Sequence, residues 1–313
     1  MTANKAIRYN AYGINFASAI TVPELTPTTA KAETFAETDP IDVTITLGTV
    51  PDHIDDPVTS SASHEAAPGK MRLDIEDVAR FMVSDGREII VDPYPGADEH
   101  DVRVFLLGTC FGALLHQRGA LVLHASGINT EGGAVLFAGA SGAGKSTLLA
   151  EMMRLGYKMM VDDVSAIYQA GDGDGLVVMP SYPRTRMWAD TAEEFAIDTS
   201  ELQRTRSHMN KFERQLPDQF WGRPAKLRHI FLLTRSDEDG ISLDRIPPLQ
   251  AVPVIVNNTY RKLFVDAFGI RQNHFKLASQ IAGQVPLTHV IRPTTTFQVE
   301  ELAQMVLADL DEF

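Results

Sequence analysis

Eight consecutive residues, Gly139-Ala-Ser-Gly-Ala-Gly-Lys-Ser146, fit the pattern G-x-x-x-x-G-K-[ST], whose chemistry is the cradling of phosphate. Gly139, Gly142 and Gly144 permit backbone conformations that a Cβ would obstruct, so successive N–H groups can converge on phosphate oxygens at the positive end of a helix. Lys145 adds a mobile point charge for the β and γ phosphates, and Ser146 offers a hydroxyl to Mg²⁺. With Ala140, Ser141, Ala143 and Thr147, these residues form the predicted nucleotide-binding set.

Further chemistry stands on either side. Downstream, Asp162-Asp163 follows the apolar run Tyr157-Lys-Met-Met-Val161. A carboxylate at the end of such a strand can hold Mg²⁺ directly or through water, completing what Ser146 begins. Neighbours on a strand point to opposite faces, which predicts separate roles, metal for one carboxylate and a substrate proton for the other. Upstream, His124 interrupts the apolar run Ala120–Ile128; a lone histidine there is ordinarily a core residue with a satisfied ring. Later, Arg204, Arg206, His208, Lys211, Arg214 and Arg223 cluster in an otherwise acidic chain. A basic loop closing over nucleotide would stabilise transferring phosphate and exclude water, with Lys211 and Arg214 as the lid candidates. Arg184, Arg186 and Arg261 are further cations whose spacing assigns no role.

These residues need a scaffold. Ala134-Val-Leu-Phe-Ala138 predicts a strand entering the phosphate loop, and Ser146–Arg154 carries apolar residues at helical spacing, which places the loop at a strand-to-helix turn. Short alternating or β-branched runs at 7–16, 41–47, 71–75, 79–83 and 88–91 predict a small strand-rich domain over 1–97. Within it, 49–69 is poor in apolar residues and reads as a long loop. A helix over 98–117, acidic at its start and ending at Arg118-Gly119, opens the domain of 98–313. Strands over 227–234, 241–246 and 285–291 and helices over 249–257, 273–283 and 296–310 complete an α/β pattern.

His124-Ala-Ser-Gly-Ile, the phosphate loop and Arg154-Leu-Gly-Tyr-Lys-Met-Met-Val-Asp-Asp163 together resemble the catalytic core of HPr kinase/phosphorylase. The order matches, with fifteen positions from His124 to Gly139 and seventeen from Lys145 to Asp162. Weaker similarity, at Tyr12-Gly-Ile through Pro23-Glu-Leu25 and at Phe81 to Pro93, looks like the HPr-kinase-related proteins of bacterial peptide-modification clusters. The resemblance implies a P-loop kinase domain of the type shared with phosphoenolpyruvate carboxykinase, with a mixed sheet. It implies that Asp162 takes the proton of an acceptor serine, that Asp163 assists with Mg²⁺ or orientation, and that His124 lies near the aspartate. The family's Glu-Ile-Arg-Gly-Leu-Gly signature is absent; Met179–Trp188 stands in its place.

The implied activity is an ATP/Mg²⁺-dependent kinase acting on a serine hydroxyl of a peptide or protein, with GTP as the other candidate nucleotide. A nucleotide-gated sensor or scaffold and a small-molecule kinase would use the same loop. The resemblance further implies a homo-oligomer. Composition narrows the partners: a net charge of -13 and a pI near 5.1 argue against a nucleic-acid partner. Cys110, the single cysteine, excludes an intrachain disulfide and any multi-cysteine metal site. Met1–Tyr9 lacks a signal-peptide core and no apolar stretch is as long as a membrane span, which makes the cytoplasm the expected compartment and a membrane partner unexpected.

Overall fold

A computed structural model describes residues 6–25, 39–171, 173, 175–200, 202–205, 210–294 and 298–311. The chain forms two compact units, the first of Met1–Val122 with Arg261–His274 and the second of Leu123–Tyr260 with Phe275–Phe313.

The first unit is built on a mixed sheet. Its strands are β1 (Ile7–Ala11), β2 (Ile14–Ser18), β3 (Val43–Leu47), β4 (Thr59–Ser60), β5 (His64–Ala67), β6 (Lys70–Ile75), β7 (Ala79–Ser84) and β8 (Glu88–Pro93). They lie in the order β1-β2-β3-β8-β7-β6-β5-β4, with β3 parallel to β2 and β8. Helices α1 (Glu99–Phe105) and α2 (Phe111–Gln117) are joined by a π-helical turn, Leu106–Cys110. The Asp98 side chain caps this helix by accepting from the His100 N–H at 2.8 Å. Phe111 packs edge-on against Phe16 and tilted against Tyr12, which ties the helix to the sheet. The boundary read at 97/98 therefore lies inside the first unit. Cys110 is buried in the π turn, and burial pushes its thiol up. The expected loop over 49–69 contains β4 and β5; Glu65 of β5 is buried, accepts from Ile54 N and pairs with His53, while Val50, Ile54 and Ala67 pack with Met82 in a small apolar cluster. Strand β9 (Leu121–Leu123) leads the chain out of this unit.

The second unit begins with β10 (Ala125–Thr130), β11 (Gly133–Gly139), α3 (Lys145–Arg154), β12 (Lys158–Val161), β13 (Ser165–Gln169) and β14 (Leu176–Met179). Next come β15 (Arg184–Trp188), α4 (Ala189–Glu194), β16 (Gln203–Arg204) and β17 (Lys211–Gln215). The chain then runs through β18 (Ala225–Ser236), β19 (Ser242–Arg245), α5 (Pro248–Asn257), the first unit's α6 (Leu263–Ala267), α7 (Arg271–Gln284), β20 (Leu287–Pro293) and α8 (Val299–Asp311). Its main sheet is mixed: β12-β10-β11-β18-β14-β13 in order, with β20 beside β18 and β19 beside β20. β11, β18 and β20 run parallel, so the carboxyl ends of three adjacent strands open on one edge. α3 and α8 cover this sheet because both are amphipathic. Leu148, Leu149, Met152 and Met153 from one, with Leu302, Ala303, Val306 and Leu310 from the other, pack on Phe137, Phe231 and Val290. Only the start of the helix expected at 296–310 lies outside the described residues. A separate antiparallel sheet is ordered β15-β17-β16, and its strands β16 and β17 stand where the sequence reads as a polar loop. No helix among the described residues is long and apolar enough to cross a membrane.

Candidate functional site

β11 delivers the chain to the phosphate loop at the carboxyl edge of the parallel strands. Gly139, Gly142 and Gly144 have φ of 143°, 79° and 104°, and Gly144 is the residue at which α3 begins. That backbone is open to glycine and strained for other residues. The Lys145 ammonium folds back over the loop and donates to Gly139 O at 2.8 Å and Ala140 O at 3.0 Å. Burial pulls its pKa down, reinforced by Lys211 and opposed by Asp163 and Asp162.

The acidic pair sits just past β12, not within a strand. Val164 N donates to Asp162 O at 3.0 Å across a three-residue turn whose centre, Asp163, has φ of 75°. This is the rarer, strained form of such a turn. The turn cancels strand alternation, so both carboxylates line one cavity and do not point to opposite faces. Asp162 Oδ1 accepts from Ser126 Oγ at 2.7 Å and from Ser146 Oγ at 3.2 Å, while Oδ2 accepts from Arg186 N at 2.8 Å. Ser146 therefore meets Asp162, whereas the sequence reading pairs it with Asp163.

Asp163 has its own partners. His124 Nε2 lies 3.2 Å from one oxygen and Arg186 Nη1 3.1 Å from the other. Burial pushes the Asp163 carboxyl up, but the His124 hydrogen bond and the Arg186 charge outweigh it and hold the group well below the usual carboxylate range. His124 is placed by a break between β9 and β10, where its N–H donates to Asn258 O at 2.9 Å and Tyr260 stacks edge-on against its ring. It is a cavity residue, with a third of its side chain accessible.

Arg186 links the pair to the small sheet. Its Nε donates to Glu213 at 3.0 Å, and Arg184 donates to the other oxygen of Glu213. Burial works against the Arg186 charge, and Asp163 with Glu213 overcomes it, so the guanidinium stays above its ordinary value. Lys211 reaches the cavity from β17, its ammonium 5.7 Å from the centre of the Trp188 ring. Arg214, the other lid candidate, lies three residues further along the same strand opposite Thr185 and does not line the cavity. Arg204 packs over Phe212, and Arg261 belongs to the first unit, where it donates to Thr109. Arg206 and His208 lie outside the described residues.

The cavity measures about 490 Å³. Ser141, Gly142, Gly144, Lys145, Ser146 and Thr147 form its floor, and Gly139, Ala140 and Ala143 supply the loop carbonyls that Lys145 and Arg292 engage. Arg292 escapes the sequence reading, Arg186 enters it only as a cation without a role, and Ser126 only within the stretch His124-Ala-Ser-Gly-Ile. Only fold topology brings them here, and no local pattern marks them. The hydroxyl of Ser146 beside the carboxylate of Asp162 offers hard oxygen ligands, a donor set that suits Mg²⁺.

No protein-family model and no curated protein matches the chain. Among solved structures, the Hpr(Ser) kinase/phosphatase from Coxiella burnetii overlaps 60% of this chain and 95% of its own at 10% identity and a TM-score of 0.32, an overlap too loose to define a fold.

Proposed function

We propose that the chain is a Mg²⁺-dependent phosphotransferase that passes the γ-phosphate of ATP to a serine hydroxyl of a peptide or protein. The observation that carries this reading is the convergence of phosphate loop and acidic pair, with Ser146 Oγ and Asp162 Oδ1 3.2 Å apart and Asp163 beside them on His124. A carboxylate beside a histidine offers a place for the proton of an acceptor hydroxyl, which transfer requires and binding alone does not. The peptide or protein serine rests on the sequence resemblance alone.

On this geometry the two carboxylates exchange the roles that the resemblance implies. Ser146 and Asp162 would hold Mg²⁺, which would supply charge neutralisation for the transferring phosphate. Lys145 leaves the loop carbonyls for the terminal phosphates, and backbone N–H groups of the loop fix the chain of phosphates in line with the acceptor. The serine Oγ–P bond forms as the bond from the γ-phosphorus to the β,γ-bridging oxygen breaks. ADP leaves with that electron pair, and the hydroxyl proton passes to the Asp163–His124 pair.

Lys145→Ala is expected to lower turnover by roughly three orders of magnitude, as loss of a charge aimed at transition-state phosphate does. Asp163→Asn is expected to lower kcat with little change in ATP affinity, and Asp162→Asn to raise the Mg²⁺ concentration needed for half-maximal rate. Steady-state kinetics with Mg²⁺ titration separates the two; the opposite pattern would return the roles to those implied by the resemblance.

A further inference from the structure

Lys211 lines the cavity yet takes no part in the phosphate, metal or proton contacts of the proposed reaction. It stands not on a loop but at the start of β17, opposite Trp188 at the end of β15. Strands on both sides fix its backbone: Thr205 N donates to Lys211 O at 2.7 Å, and Ala189 N donates to the neighbouring Asn210 O at 2.9 Å. On this fixed backbone sits a flexible four-carbon stem, and its ammonium lies 5.7 Å from the centre of the Trp188 ring. Trp188 is itself exposed and lines the same cavity. Among the described residues the ammonium has no hydrogen bond and no carboxylate partner. Its charge is felt on the donor and the acceptor side alike. Burial and then the Lys211 charge lower the Lys145 pKa, and against burial Lys211 joins His124 and Arg186 in holding Asp163 low.

We propose that Lys211 is a catalytic residue of the transfer step, whose ammonium leaves the Trp188 ring for the equatorial oxygens of the γ-phosphoryl group as that group passes from ADP to the serine oxygen. The proposal rests on the phosphotransferase reading. Three observations favour it. The phosphoryl group spreads its charge over three oxygens in transit, and Lys145, rooted in the phosphate loop, meets them from the donor side. Arg186, which also reaches Asp163, is committed to that carboxylate and to Glu213. An ammonium held by an aromatic face gives up a weaker contact for charge-assisted hydrogen bonds to phosphate, while the strand beneath it limits the reorganisation required. Lys211 keeps its three protons throughout. It donates hydrogen bonds only, and the serine proton still passes to the Asp163–His124 pair. Trp188 is the positioning residue that keeps the ammonium in the cavity before nucleotide arrives.

The test incubates the full chain with Mg²⁺, saturating γ-labelled ATP and the proteome of the source cell, and reads the initial rate of serine labelling. Titration calorimetry reads Mg·ATP affinity separately. Lys211→Met keeps most of the stem and removes the charge. It is expected to lower the labelling rate roughly hundredfold, as loss of one transition-state donor does, with Mg·ATP affinity within about twofold of the wild type and an unchanged thermal midpoint. Lys211→Arg, which keeps the charge, is expected to recover most of the rate, and Trp188→Leu to lose less of it than Lys211→Met. Unchanged labelling by Lys211→Met, or a loss that Lys211→Arg leaves uncorrected, would overturn the role of Lys211 and leave the phosphate loop and acidic pair standing. A wild type that binds Mg·ATP and labels no serine would instead contradict the transfer reading, and the role of Lys211 falls with it.

Discussion

Arg186 touches both members of the acidic pair, Asp162 through its backbone N–H and Asp163 through its guanidinium, and it shares Glu213 with Arg184. Removing one partner from a buried ionic cluster leaves charge uncompensated, at a cost of about 3–5 kcal/mol. Arg186→Met is therefore expected to lower the thermal midpoint by several degrees, whereas Glu213→Gln combined with Arg186→Met recovers part of the loss; calorimetric unfolding of the two variants checks this. The sequence makes the phosphate loop legible because its residues are contiguous and their chemistry depends on spacing. Asp162 and Asp163 are legible for the same reason, although their direction is not: a left-handed residue at 163 turns both into one cavity. Arg186 and Arg292 have no such signal, since only folding brings them within reach of residues far away in the chain.

At the level of elements, the turn into α3 is the most exacting. An alanine Cβ at Gly144 would lie 2.9 Å from Arg292 Nε, while one at Gly142 meets nothing within 4 Å. Both positions have positive φ, so each substitution carries a backbone cost of about 1–2 kcal/mol. Gly144→Ala must also displace Arg292, and is expected to weaken ATP binding well beyond Gly142→Ala; equal losses would place Arg292 outside the site. A second prediction concerns β18. His229 is buried, stacked on Phe231 and bonded to Thr288, with Arg245 and Arg228 near and Asp309 at 3.5 Å. Burial, followed by the charges of Arg245 and Arg228, lowers its pKa to about 3. The unfolded chain then binds the extra proton, so stability is complete above about pH 6.5 and falls towards pH 3. His229→Gln is expected to flatten the decline in thermal midpoint between neutral pH and pH 4; an unchanged slope would deny His229 that part. Most strands were legible from alternation and both covering helices from their apolar stripes. β5 and the β15–β17 pair were not, because buried Glu65, Arg184, Arg186 and Glu213 hold them, and charged residues read as solvated loop.

For the molecule as a whole, the second unit contains every residue of the proposed reaction, from His124 to Lys211. The first unit's inserted segment, Arg261–His274, was not legible, since nothing local in that stretch reveals which sheet it joins. Nucleotide binding to the native state alone stabilises by mass action, about 2.7 kcal/mol at a hundredfold excess over Kd. Mg·ATP is accordingly expected to raise the thermal midpoint of the wild type and not that of Lys145→Ala. Binding by itself does not make a kinase, and transfer is the central claim. The direct measurement is incubation with γ-labelled ATP, Mg²⁺ and the proteome of the source cell, followed by identification of labelled residues by mass spectrometry. The expected result is label on serine in the presence of the wild type, lost with Lys145→Ala and Asp163→Asn. A wild type that binds Mg·ATP yet labels no serine beyond the level of Lys145→Ala would contradict phosphoryl transfer to serine.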